Sequence, residues 1–119
     1  MKPKPLNKRY DIPYGKSYHI YKEKQINNNY IREIRVLAVK KDKQHPEGYR
    51  YSLVLIDRKT GNRLLGYDNF ERKGHHKHIL NIEIPYKFIS IPKLFQDFEK
   101  DIKKFGDNKD ENKENKDSN

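Results

Sequence analysis

Apolar residues recur along this chain in two rhythms, one of period two and one of period 3.6. Between Tyr30 and Lys40, Ile34, Val36 and Ala38 fall on one face while Ile31, Glu33, Arg35, Leu37 and Val39 fall on the other, the alternation of a half-buried strand. Tyr49 to Asp57 holds Leu53, Val54, Leu55 and Ile56 in succession, which suits a central strand covered on both faces. Thr60-Gly61-Asn62 then marks a hairpin turn, and Arg63 to Asp68 returns as the antiparallel partner. His75 to Ile84 alternates again, with His76, His78, Leu80, Ile82 and Ile84 on one side and a break near Asn81. Ser17 to Ile26 alternates loosely and fits an edge strand.

The helical rhythm appears once, from Ser90 to Phe105. Ile91, Leu94, Phe95, Phe98, Ile102 and Phe105 recur at helical spacing, Ser90 is placed to cap the start, and Pro92 sits in the first turn. Gly106 is positioned to end that helix. The pattern predicts an α+β fold, a mostly antiparallel sheet of four or five strands with one C-terminal amphipathic helix packed on one face. Residues 17–105 form the single domain, 1–16 an extended basic arm packing through Tyr10, Ile12 and Tyr14, and 106–119 a disordered acidic and polar tail.

Composition narrows the class of protein. Of 119 residues 33% are hydrophobic and 37% charged, leaving room for one modest core and no second domain. The net charge is +10, and because residues 106–119 carry five acids against three lysines, the rest of the chain stands at +12. Such a field attracts polyanions: nucleic acid, an anionic membrane surface and an acidic partner all match it. A Lys- and Asn-rich coding bias produces the same composition without any binding role. The absence of cysteine removes disulfides, a thiolate nucleophile and Cys-ligated zinc. The longest apolar run, Leu53 to Ile56, is far short of the roughly 20 residues of a transmembrane helix, and Met1 to Tyr10 lacks a signal-peptide core. A cytoplasmic protein without membrane attachment is expected.

The chemistry concentrates between Tyr67 and His78, where three of the five histidines fall within four residues. Histidine both takes and gives a proton near neutrality, as cleavage of a phosphodiester through a 2′-hydroxyl requires. In that scheme one of His75, His76 or His78 activates the 2′-hydroxyl or protonates the leaving oxygen, Asp68 orients a ring, and Arg72, Lys73 or Lys77 stabilises the phosphorane. Alternation places His75 opposite His76 and His78, so at most two of the three face a common substrate. The structural alternative is that His76 and His78 cap the edge of the core. A further alternative is metal, since His76, His78 and Asp68 make a two-His, one-carboxylate set. The preferred reading needs neither metal nor cofactor. Nine tyrosines, with Tyr49, Tyr51 and Tyr67 among Arg50, Arg58 and Arg63, match a base-stacking surface, although Tyr49 and Tyr51 share a face with Leu53 and Leu55 and so favour the core.

Tyr51-Ser-Leu-Val-Leu-Ile-Asp57, Gly66-Tyr67-Asp68-Asn69, Gly74-His75-His76-Lys77-His78 and Pro85-Tyr86-Lys87-Phe88, followed by the helix of Leu94, Phe95, Asp97 and Phe98, resemble the TumE family over roughly Tyr30 to Phe105. The resemblance implies a toxin of a toxin–antitoxin module, partnered by an antitoxin, usually a helix-turn-helix protein. The family's pattern lands on Tyr67, Asp68 and Asn69 and on Gly74, His76 and His78; the position between Gly74 and His76, often acidic in the family, is His75 here. Tyr67 thereby joins Asp68, His76 and His78 as a catalytic candidate, and Asn69 and His75 join the basic residues as substrate-binding candidates. The function expected is a toxin acting on RNA as a metal-independent ribonuclease. The rival is a non-catalytic basic module that binds nucleic acid or a protein partner. Transfer of a group from a nucleotide finds no glycine-rich phosphate loop in the sequence.

Overall fold

The computed structural model describes residues 12–70 and 74–117. Six strands, β1 (Ser17–Ile26), β2 (Tyr30–Val39), β3 (Tyr49–Asp57), β4 (Arg63–Asp68), β5 (His76–Ile79) and β6 (Ile82–Pro85), precede one helix, α1 (Ile91–Asp117). Each strand pairs antiparallel with the next, so the sheet order is the chain order β1-β2-β3-β4-β5-β6. The class is α+β, as the two rhythms predict. The chain divides between Tyr86 and Lys87 into two compact units, the sheet and the helical segment.

The strand count corrects the sequence reading: there are six strands, not four or five. The stretch read as one strand from His75 to Ile84 folds back on itself. Ile79 pairs with Ile82, leaving Leu80 and Asn81 as a two-residue turn in which Leu80 adopts φ 54°. The turn falls at the break expected near Asn81, but two-residue hairpins need positive φ, a conformation that favours Gly and Asn, so a leucine at the first turn position gives no sign that the chain reverses there. The Thr60-Gly61 hairpin forms as expected, with Gly61 at φ 76° and its amide on the Asp57 carbonyl at 2.8 Å.

Strand alternation divides the sheet into two faces. Ile34, Val36 and Ala38 of β2, Tyr51, Leu53 and Leu55 of β3, and Leu65 and Tyr67 of β4 are buried together on one face. These are the faces assigned to β2 and to Tyr51, Leu53 and Leu55, but β3 is not covered on both faces as expected: Val54 and Ile56 on its other side are only half-buried. Ile12 is also buried, whereas Tyr14 is exposed with Lys40 Nζ 5.7 Å from its ring; Tyr10 lies outside the described residues. The other face carries two cross-sheet rows fixed by register, Lys22–Arg35–Ser52–Asp68–His76–Pro85 and Lys24–Glu33–Val54–Gly66–His78–Glu83. β1 is the edge strand expected and is exposed along nearly its whole length.

In α1, Ser90 Oγ accepts from the Lys93 amide at 3.2 Å, and Leu94 and Phe98 are fully buried. Lys93 and Asp97 pair at 2.7 Å one turn apart. The helix continues past Gly106 to Asp117 instead of stopping there. A single interior glycine costs about 1 kcal/mol against alanine, and no proline follows it to block the next turn.

Leu80 is half-exposed, so replacing it removes little buried area while relieving a left-handed backbone. Leu80→Gly is expected to raise stability by about 0.5–1 kcal/mol in chemical denaturation.

Candidate functional site

Pairing of β4 with β5 places Asp68 opposite His76 and Gly66 opposite His78, so Asp68, His76 and His78 share the polar face. β6 adds Glu83 opposite His78. The His76 ring is buried. Its Nδ1 donates to the Gly74 carbonyl at 3.0 Å and its Nε2 lies 2.7 Å from Asp68 Oδ1. The Gly74 carbonyl can only accept, so Nδ1 carries a proton toward it, and Nε2 shares a short contact with the Asp68 carboxyl group. The Phe70 amide also donates to Asp68 Oδ1, at 3.3 Å, and holds the carboxylate in place from its own chain.

His78 stands against His76 edge to face, with ring centroids 4.8 Å apart and planes at 82°. Its Nε2 is 3.7 Å from Asp68 Oδ2 and 3.7 Å from Glu83 Oε1, too long for hydrogen bonds. Burial, and after it the neighbouring Arg63 guanidinium, hold His78 below the usual histidine range, while Asp68 and Glu83 act weakly the other way. His78 is therefore the ring with an accessible lone pair at neutral pH. A ring nitrogen of each of His76 and His78 and an Asp68 oxygen lie within 4.8 Å of one another, a spacing that could hold a metal ion.

Other residues singled out in the sequence fall elsewhere. Tyr67 points to the opposite face, fully buried and edge-on to Tyr86 with centroids 4.9 Å apart. Lys77 follows it there, its Nζ 5.6 Å from the Tyr67 ring. His75 stacks on Tyr51 at 5.6 Å, and its Nε2 donates to Glu47 Oε1 at 3.0 Å, which leaves Nδ1 to accept from the Tyr51 hydroxyl at 2.8 Å. Burial, and then nearby negative groups, raise the Tyr51 hydroxyl far above the ordinary tyrosine range, so it remains a donor. Asn69 is buried with its amide between strands, Oδ1 accepting from Tyr51 N at 3.0 Å and Nδ2 donating to the Tyr49 carbonyl at 2.8 Å. Arg72 and Lys73 lie outside the described residues.

Two residues not assigned to the site in the sequence reading complete its surroundings. Glu83 arrives through the unforeseen β5–β6 hairpin, and counting from the Leu80-Asn81 turn would have placed it opposite His78. Arg63 lies over Gly66, whose missing side chain makes the room: a Cβ built on Gly66 would sit 3.0 Å from Arg63 Cδ. The same face continues into a shallow cavity of about 370 Å³ lined by Glu33, Arg35, Arg50, Ser52, Val54 and Phe70, with the Arg50 guanidinium 4.4 Å from the Phe70 ring. Ser52 pairs with Asp68, so the cavity adjoins the cluster.

The family model described as Toxin TumE matches residues 6–105, and the chain belongs to that family. No curated protein and no solved structure matches it. No helix among the described residues is long and apolar enough to cross a membrane.

Removing the Arg63 charge favours the protonated ring, so Arg63→Gln is expected to raise the pKa of His78, read from its ring-proton shifts in an NMR titration. Asn69→Ala leaves a buried amide and a partly buried carbonyl of β3 without their side-chain partner. It is expected to lower stability by about 1–3 kcal/mol in thermal or denaturant unfolding.

Proposed function

We propose that this TumE-family protein is the toxin of a toxin–antitoxin pair, that it acts on RNA, and that Asp68, His76 and His78 form its acid–base centre. The observation that supports this reading is the convergence of two imidazoles on one carboxylate, on the polar face of a strongly cationic chain. His78, held neutral, takes the proton of a ribose 2′-hydroxyl. The freed oxygen attacks the adjacent phosphorus, and the bond to the 5′-oxygen breaks to leave a 2′,3′-cyclic phosphate. The proton lying between His76 Nε2 and Asp68 Oδ1 is the one at hand for the departing 5′-oxygen. Arg63, close enough to His78 to shift it, takes the phosphorane-stabilising role that the sequence reading gave to Arg72, Lys73 or Lys77. The Arg35, Arg50 and Phe70 cavity beside Asp68 offers a neighbouring nucleotide two cations and a ring for stacking. The antitoxin, which we take to be a helix-turn-helix protein, covers this face in the resting pair.

One observation favours a second reading. Both His76 nitrogens are engaged, with the Gly74 carbonyl and with Asp68, as in a structural clasp that shapes the loop between β4 and β5. Under that reading the face binds RNA or a protein partner without cleaving anything.

The two readings separate on growth after induced expression, with total RNA examined for new ends in the same cultures. Catalysis predicts growth arrest with new ends in wild type and loss of both in His78→Ala, whose melting temperature stays near that of wild type. Arrest without new ends, or an active His78→Ala, would overturn the acid–base assignment.

A further inference from the structure

The polar face brings together more than an acid and a base. Two imidazole nitrogens and two carboxylates, from β4, β5 and β6, point at one another across the register. One ring nitrogen of His76, one of His78 and an Asp68 oxygen lie within 4.8 Å of one another. Glu83 Oε1 stands 3.7 Å from each of the two Nε2 atoms, and Asp68 Oδ2 stands 3.7 Å from that of His78. We propose that Asp68, His76 and His78, with Glu83 as fourth ligand, hold one divalent cation of the zinc type.

The distances are close to those of a tetrahedral site. Metal arms of about 2.0–2.1 Å set neighbouring ligand atoms about 3.3–3.5 Å apart, so the three 3.7 Å separations need a contraction of only a few tenths of an ångström. The contact from Asp68 Oδ1 to His76 Nε2, at 2.7 Å, is too short for two ligands of one ion and must open, which a rotation of the same carboxylate, whose other oxygen faces His78, allows. The outer contact of a metal-bound histidine is already in place. His76 Nδ1 donates to the Gly74 carbonyl, which fixes the tautomer and turns Nε2 toward the cluster. Two carboxylates and two neutral imidazoles carry a charge that one dication balances. Imidazole donors select zinc and its neighbours over magnesium and calcium, which prefer all-oxygen shells.

Occupation regulates the centre. This part rests on the acid–base reading above: a metal-bound Nε2 has no lone pair for a 2′-hydroxyl proton, and the ion displaces the proton between His76 and Asp68. The zinc-loaded toxin is therefore inactive toward RNA, and removal of the ion restores it.

Full-length protein stripped of metal by a chelator is titrated with Zn²⁺ against a chromophoric competitor and with Co²⁺ followed by visible absorption. Expected are one equivalent bound, the absorption bands of four-coordinate Co²⁺, and a raised melting temperature. Affinity should fall on the order of tenfold or more in His78→Gln and in Asp68→Asn. The exposed His19→Ala variant should bind as wild type does. Absence of saturable binding would overturn the site, as would unchanged affinity in both ligand variants, which would move the ion to His19, His45 or His75. The Co²⁺ spectrum of wild type reports the ligand geometry even if a variant misfolds. RNA cleavage, assayed with and without Zn²⁺, tests the regulatory half: suppression reversed by chelator supports it, and cleavage indifferent to bound zinc overturns it. Cleavage that requires zinc would instead defeat the metal-free acid–base reading while leaving the binding site standing.

Discussion

A carboxylate and an imidazole nitrogen at 2.7 Å, both largely withdrawn from water, tie β4 to β5 in this protein, and the polar face depends on that pair. Charge-assisted hydrogen bonds of this kind are stronger and more directional than neutral ones, and here each partner has a second anchor. The Phe70 amide fixes Asp68 and the Gly74 carbonyl fixes His76. The loop between the strands is therefore pinned where it leaves β4 and where it enters β5. Because side chains alternate along a strand, a slip of one residue in this pairing would send His76 and His78 to the buried face and bring Lys77 to the site.

The opposite face follows a different physics. Tyr51, Leu53, Leu55, Leu65 and Tyr67 exclude water there, and the polar groups among them have partners: His75 accepts from the Tyr51 hydroxyl, and Asn69 closes the hydrogen bonds of β3 where β4 ends. The Tyr-Asp-Asn run thus distributes three adjacent residues among three tasks. Tyr67 packs, Asp68 faces the histidines, and Asn69 holds backbone. A motif read as one functional unit in sequence is divided by strand alternation and by the end of the strand.

Arg63 and Gly66 show how an absent side chain shapes a site. Gly66 lies directly opposite His78, and the space left by its missing Cβ is taken up by the Arg63 side chain folding back over the strand. That brings a guanidinium to a ring already disfavoured from charging by burial, and both effects keep His78 neutral. His76, its neighbour two residues earlier, is placed between two acceptors. Two histidines separated by one residue thus meet opposite electrostatic surroundings, which suits a division of labour in proton transfer.

Much of the fold was legible in the sequence, because it depends on local periodicity. The alternation in β2 and β3, the Thr60-Gly61 turn, the edge character of β1 and the capped start of α1 each arise from residues within a few positions of one another. Asp68, His76 and His78 were legible as chemistry, from residue type and spacing. Only the tertiary structure could show that Leu80 turns in place of a glycine, so that a sixth strand returns Glu83 to His78. Alternation had already set His75 opposite His76 and His78, but the structure alone showed what Tyr67, Lys77 and Asn69 contact instead of the cluster and that Arg63 lies beside it. The physical reason is that periodicity assigns a residue to a face, whereas the distances between groups on that face are set by the register of strands that are separate in sequence.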